Sequence, residues 1–382
     1  MTARRDFLRS VGLGAAALTA APAAPGWLRV SEAALADEAT RTLPPLGARG
    51  VIRLDRNENP IGPFPSVRRA IDDQWAEANR YPDEVETALI AAIAARHQVA
   101  PDQVALGCGS GEILELITTL FTTPGRGIVV ARPTFEAPAR TAMMLGHPVV
   151  AVPVTSALAL DLDQMAAAAR GAGLIFLCNP NNPTGTVHGA AAVQEFVARV
   201  RRESPGTTIL IDEAYHEYVD DPSYRSMIAL ARQDPYVIVS RTFSKVYGLA
   251  GLRVGYAISA AETVQQLERH RLGNGVSQLA AAAAVASLGD DSAMRAEQQR
   301  NRAVRSAMRE FFTSIGCSVG AAEGNFLMVD IKRPVGGVRA ACREKGVAVG
   351  RDFPPLMTHL RLSLGTAEQM DRAKEVLRPL LA

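Results

Sequence analysis

The sequence predicts an α/β fold: a large doubly wound, mostly parallel seven-stranded sheet domain followed by a smaller α+β C-terminal domain. Seven short Val/Ile/Leu-rich runs carry the first part, at 103–106, 127–131, 148–152, 174–178, 208–211, 236–240 and 254–258. Each is bounded by Gly, Pro, Asn or Asp, and unbroken apolarity of this kind belongs to strands covered on both faces. Helical patterns fill the intervals, as at 111–121, 135–145, 190–201 and 227–232. Such alternation builds a parallel sheet whose ligands sit at the carboxyl ends of the strands. Beyond residue 277 the alternation stops. A long helical region runs to 315, then short strands at 326–329, 347–349 and 360–363 precede a last helix over 367–380.

In chain order, the first segment stands apart from this pattern. Arg4-Arg5-Asp6-Phe7-Leu8 opens the chain, a weakly apolar Gly/Ala-rich run covers 11–24, and Ala34-Leu35-Ala36 offers an A-x-A cleavage site. A charged start, an apolar middle and small residues before the mature chain form the layout of a secretory signal. Paired arginines followed by x-Phe-Leu resemble its twin-arginine form, which exports folded proteins. The apolar run is shorter than the roughly 20 residues that span a bilayer. The expected organisation is a signal peptide at 1–36, an N-terminal arm at 37–75, the large domain at 76–276, and a connecting helix with the small domain at 277–382. The expected location is periplasmic or exported, or cytoplasmic if the leader is not used.

Composition narrows the function. Of 382 residues, 48% are hydrophobic and 21% charged, ordinary globular values that leave no room for a disordered or collagen-like chain. With 41 basic and 39 acidic residues the net charge is +2, and no dense Lys/Arg run marks a nucleic-acid surface. Four cysteines without a C-x-x-C pair, and no histidine cluster at metal spacing, point away from a disulfide framework or a metal site.

The chemistry sits after the strands. The first run leads into Gly107-Cys108-Gly109-Ser110-Gly111-Glu112, small residues opening a helix whose free N–H groups suit a phosphate. Asn179-Pro180-Asn181-Asn182-Pro183-Thr184-Gly185 follows the fourth run, and Asp212-Glu213-Ala214-Tyr215 the fifth. The sixth leads into Arg241-Thr242-Phe243-Ser244-Lys245, with Arg253 eight residues on. Taken singly these are an Asn/Pro turn, a helix-capping acid and a surface lysine. Together they supply hydroxyls, amides and an arginine for a phosphate, an acid for a ring nitrogen and a lysine for an aldehyde. That set describes pyridoxal 5′-phosphate.

Asn57-Glu58-Asn59-Pro60, Arg80-Tyr81-Pro82-Asp83, 179–185, 212–215, 242–245 and Arg361-Leu362-Ser363 stand in the order found in class I/II aminotransferases of fold type I. The chain resembles that family from about residue 50 to its end, particularly the histidinol-phosphate aminotransferase branch. The resemblance implies that Lys245 is the Schiff-base lysine and proton shuttle. It makes Asp212 the acid that keeps the pyridine nitrogen protonated, and Tyr215 and Asn182 the pair bonded to the phenolic oxygen. Ser110, Gly111 and Glu112 fall on the phosphate turn, and Thr242, Ser244 and Arg253 on the second phosphate wall. Gly111 stands where relatives often carry an acid. Phe135 falls where an aromatic ring stacks on the cofactor, many relatives having Tyr there. Tyr81 matches a residue that reaches into the neighbouring subunit's phosphate site, which implies a homodimer. Arg361, with Asn182 beside it, matches the grip on the substrate α-carboxylate.

The implied activity moves an amino group between an L-amino acid, or a histidinol phosphate-like amine, and a 2-oxo acid. A decarboxylase or lyase of the same fold type is the alternative, sharing every cofactor residue. A carboxylate held in the ring plane by Arg361 favours loss of the α-proton, hence transamination. A non-catalytic binding protein has no need of Lys245, and a DNA-binding regulator would need more than 37–56 ahead of the fold. Arg351, in Gly350-Arg351-Asp352-Phe353-Pro354-Pro355, is either a contact to an anionic substrate group or a solvated side chain.

The leader gives the first expected outcome. Residues 1–40 fused to a reporter that folds before export should carry it out of the cytoplasm, and Arg4→Lys with Arg5→Lys should retain it. A reporter that stays inside with both arginines present refutes the leader.

Overall fold

The computed structural model describes residues 50–381; the leader and its cleavage site lie outside them. The chain enters through β1 (Ile52–Leu54), α1 (Pro65–Gln74) and α2 (Asp83–His97). Strand and helix then alternate: β2 (Val104–Cys108), α3 (Gly109–Phe121), β3 (Ile128–Arg132), α4 (Ala137–Met144), β4 (Val149–Pro153), α5 (Leu162–Ala168), β5 (Leu174–Cys178) and α6 (Ala190–Glu203). They continue as β6 (Thr208–Asp212), the single turn α7 (Ile228–Ala231), β7 (Val237–Thr242), β8 (Val254–Ile258) and α8 (Ala261–Glu268). All seven strands expected of the large sheet are present, each within two residues of its run.

The sheet order is β2-β8-β7-β6-β5-β3-β4. The neighbours from β4 to β7 pair in parallel, and β8 runs antiparallel to both β7 and β2. The connection 243–253 is too short for the helical crossover that a parallel pair requires, so the chain must turn back. Burial explains the strands themselves. Along β5, Ile175 and Leu177 enter one core cluster while Leu174, Phe176 and Cys178 enter another, so alternate side chains serve opposite faces.

The region expected as one long helix is two, α9 (Gln278–Leu288) and α10 (Asp291–Ser314). The break falls at Gly289-Asp290, where the Asp290 carboxylate accepts the Ala293 N–H at 3.1 Å and starts the second helix. α9 is alanine-rich and buried, and its small side chains let it lie against α1 and α2. The remaining elements are β9 (Ser318–Val319), β10 (Phe326–Asp330), α11 (Val335–Glu344), β11 (Val347–Val349), β12 (His359–Ser363) and α12 (Ala367–Leu381). They close a separate apolar cluster that includes Leu327, Val347, Leu360, Leu362 and Leu377, and Leu54 of β1 belongs to it. β1 pairs in parallel with β11, Ile52 opposite Val347, so the arm adds a strand to the C-terminal part of the chain. Among the described residues, no helix is long and apolar enough to cross a membrane.

Turning β8 back has one consequence for the site. Its first residue, Val254, lies opposite Cys108 at the carboxyl end of β2, and Gly255 lies opposite Thr242 at the end of β7. Gly255 admits the start of α3 against the sheet, because a Cβ there would overlap the backbone of Gly109 and Ser110. Gly255→Ala should lower the melting temperature by the equivalent of about 1–3 kcal/mol. Gly251→Ala, where a Cβ meets open space, should leave it unchanged. Equal melting of the two variants would contradict the close approach.

Candidate active site

A cavity of about 1030 Å³ opens where the carboxyl ends of β2, β5, β6 and β7 meet the arm and the C-terminal part of the chain. Its wall brings together Ser110, Gly111, Phe135, Asn182, Asp212, Tyr215, Thr242, Ser244, Lys245, Arg253 and Arg361. Two residues of the expected set are not in that wall. The Glu112 carboxylate turns back to accept the Cys108 N–H at 2.5 Å, as an acid in the first turn of a helix does when it caps its own backbone. Tyr81 is 81% exposed, in the turn before α2.

One end of the cavity is a cup of small residues and hydroxyls. Gly109, at φ 73°, leaves its Cβ position to the Arg253 guanidinium, so a side chain there would close the cup. Arg253 itself sits at φ 60°, a left-handed conformation that costs a bulky residue energy. Its guanidinium donates to the Ala250 carbonyl at 3.0 Å and reaches the Ser244 hydroxyl at 3.5 Å. The Thr242 hydroxyl accepts the Ser244 N–H at 3.1 Å and shapes that turn.

Deeper in, burial lifts Asp212 to about 6, against a hydrogen bond from the Ser240 hydroxyl at 2.8 Å and the charge of Lys245. The Cys178 thiol stands 3.9 Å from the other carboxylate oxygen. Burial also pulls Lys245 down to about 8, helped by Arg361 and opposed by Glu58 and Asp212. Its ammonium donates to the Asn57 carbonyl at 3.1 Å and lies 5.5 Å from the centre of the Tyr215 ring. The Tyr215 phenol is raised by burial and packs edge-on against Phe326 at 5.1 Å. Behind this group, Arg241 and Glu213 form a buried ion pair at 2.7 Å.

At the far end, Arg361 donates to the Asn182 side-chain oxygen and to the Asp55 carbonyl, both at 2.7 Å. Its guanidinium lies 4.8 Å from the Phe353 ring centre, and its buried Nε has no partner among the described residues. Of the three asparagines in 179–185, only Asn182 serves this wall. Asn179 binds the His188 N–H at 2.8 Å, and Asn181 bonds to Thr134 and to the Pro133 carbonyl. Arg351 pairs with Glu136 at 2.7 Å and stacks on Phe353 at 4.4 Å. At the mouth stand Arg56, Arg140, Arg339 and Arg343.

Sequence reasoning gave no role to Asn57, Asp55, Thr134, Cys178 or Phe353. Asn57 was visible only as part of a motif, and its φ of 55° is a conformation that asparagine tolerates better than most residues. Phe353 lies between two arginines near it in the chain, Arg351 and Arg361.

The residues present fit pyridoxal phosphate. The cup offers hydroxyls, helix N–H groups and an arginine, the buried carboxylate matches a ring nitrogen, and Lys245 is held nearby with a lowered affinity for its proton. Comparison with known proteins agrees. Residues 49–377 match the family described as aminotransferase class I and II. The chain is 38% identical over 340 residues to the histidinol-phosphate aminotransferase of Moorella thermoacetica, covering 88% of this chain and 87% of that one. It is 37% identical over 327 residues to the aromatic amino acid aminotransferase of Thermobifida fusca, covering 85% and 89%. The crystal structure of histidinol-phosphate aminotransferase from Sinorhizobium meliloti in complex with pyridoxal-5′-phosphate superposes with a TM-score of 0.82 at 28% identity, covering 93% of this chain and 95% of that one. The chain belongs to the class I and II aminotransferases, enzymes that depend on pyridoxal phosphate.

Proposed function

We propose that this aminotransferase works on free L-amino acids and 2-oxo acids outside the cytoplasm, as a dimer, with Lys245, Asp212, Tyr215, Asn182 and Arg361 as its working residues. The observation that supports this best is their meeting in one cavity between the phosphate cup and Arg361. Pyridoxal phosphate supplies, when bound, a carbonyl for the amino group and a ring that takes up electrons from Cα. The protein supplies the rest. The cup holds the phosphate through Ser110, Gly111, Thr242, Ser244 and Arg253. Asp212, ionised above pH 6, would hold a proton on the ring nitrogen. Asn182 and Tyr215 would bind the phenolic oxygen, and Phe135 would supply an apolar surface for the ring. Lys245 takes the proton from Cα and returns it elsewhere, a task suited to an amine lowered to about 8. Arg361, already braced by two acceptors and a ring, offers a planar fork to the α-carboxylate.

The mouth favours anions. Arg56, Arg140, Arg339, Arg343 and Arg351 stand in the lining against Asp55, Glu58 and Glu136, with Asp212 deeper in. A free amino acid suits the export reading better than a phosphorylated pathway intermediate, which belongs in the cytoplasm, and export of the folded protein lets the cofactor be loaded first. Tyr81, exposed ahead of α2, is free to reach a second subunit's cup.

Borohydride reduction of the holoprotein should fix the cofactor on Lys245, and Lys245→Ala should abolish both the label and turnover. A label on another lysine overturns the assignment.

Asp212 gives a test by pH. Its carboxyl is about 6 in the folded chain and 3.8 in the unfolded one, so the folded state binds the proton more tightly. Stability is then lost as pH rises from about 4 to 6, to a total of about 3 kcal/mol. Cofactor-free Asp212→Asn should melt higher than its parent above pH 6, the gap closing towards pH 4, while the loaded variant loses turnover by orders of magnitude because the ring nitrogen has lost its acid. A gap independent of pH, or unchanged turnover, would contradict this role.

A further inference from the structure

We infer that Asn57 is a positioning residue that fixes the direction in which the Tyr215 hydroxyl presents its proton. The inference rests on the assignment of Lys245 and Tyr215 to the cofactor. Three hydrogen bonds carry it. The Asn57 backbone N–H donates to the Ser363 hydroxyl oxygen at 2.8 Å. The Ser363 hydroxyl donates to the Asn57 side-chain oxygen at 3.0 Å, and the Asn57 amide nitrogen donates to the Tyr215 hydroxyl oxygen at 3.0 Å. Asn57 is 1% and Ser363 2% exposed, so water does not compete for these groups.

The amide cannot be turned over without loss. Its nitrogen would then face the Ser363 oxygen, which already accepts the backbone N–H, and the Ser363 proton would have no acceptor among the described residues. Stranding a buried donor costs about 1–3 kcal/mol. The amide oxygen therefore stays on Ser363 and the amide NH2 on Tyr215. A hydroxyl that has accepted one hydrogen bond keeps its own proton to give. Tyr215 has no other hydrogen-bond partner among the described residues, and its side chain lines the cavity. The proton is thus directed into the cavity, where the phenolic oxygen of the cofactor needs a donor.

The same residue holds the lysine. The Asn57 carbonyl accepts from Lys245 at 3.1 Å and from the Asn325 amide at 3.0 Å, which fills both of its lone pairs. One residue of the arm therefore sets the lysine and the tyrosine together. Aspartate at this position keeps the shape and tolerates the same φ, but its carboxylate only accepts. The Tyr215 proton would turn to it and leave the cavity.

The test uses the loaded enzyme and needs no turnover. The pH midpoint of the bound cofactor's visible absorption band is measured in the parent, Asn57→Asp, Tyr215→Phe and the double variant, with melting temperatures alongside. Each single variant should raise the midpoint by about one pH unit, on the order of the tenfold change that one hydrogen bond is worth. The double variant should move no further than Tyr215→Phe. A shift from Asn57→Asp that persists in the Tyr215→Phe background is the effect of a bare charge and overturns the inference, as does no shift at all. Should Asn57→Asp not fold, Asn57→Gly suits the same φ, keeps the carbonyl and removes the amide. It should move the midpoint upward by less than Tyr215→Phe, since the proton is then undirected rather than absent, and an equal or larger shift overturns the inference. Borohydride labelling separates the two levels: a label off Lys245 removes the site assignment and this inference with it. A label on Lys245 with an unmoved midpoint removes this inference alone.

Discussion

The reversal of β8 is the constraint on which the site depends. A strand continuing the parallel order would start at the opposite edge of the sheet and carry Arg253 with it. Because 243–253 is short, β8 starts where β7 ends, and Lys245 and Arg253 share one edge with the start of α3. Gly255 then lets that helix start sit against the strand, and Gly109 leaves room for the guanidinium. The phosphate cup is a by-product of chain length and two missing side chains. Its hydroxyls come second.

Electrostatics runs against stability in the same place. Asp212 and Lys245 are both held where burial disfavours their charges, and each is supported by few partners. A buried ion pair at 2.7 Å lies immediately behind them, in Arg241 and Glu213, each the chain neighbour of a cavity residue. The frame is therefore closed and satisfied while the cavity wall is not. Energy left uncompensated in the wall is available to a ligand that brings the opposite charges, which is how a binding site differs from a core.

Legibility in the sequence followed the range of the interactions. The seven sheet strands could be read because each is buried on both faces and says so in its own residues. The direction of β8 was not in its run; it lay in the length of the connection before it. β1 escaped because three residues carry no period, and its partner Val347 is far along the chain. The break at Gly289-Asp290 did carry a signal, a glycine before a capping acid, inside a stretch read as one helix. At the site, Lys245, Asp212 and Arg361 stood out as strand-end chemistry in a familiar order. The direction of the Glu112 side chain was not legible, because an acid at a helix start serves its own backbone as readily as a ligand. The role of Asn57 could not be found by pattern, since what it does is defined by Tyr215, Lys245 and Ser363, brought in from far along the chain.

That distance has a consequence for how the molecule is made. Asn57 and Ser363 are 306 positions apart, and Arg361 reaches the carbonyl of Asp55 across a similar span. During translation the segment around 52–58 leaves the ribosome early, and its bonds with Arg361 and Ser363 wait for almost the whole chain to follow. Its contacts to Tyr215 and Lys245 can form earlier, but the Ser363 hydroxyl that orients the Asn57 amide arrives only with β12. A truncated nascent chain can build most of the large sheet and still lack a finished pocket. Tight retention of the cofactor then reports that synthesis reached the end.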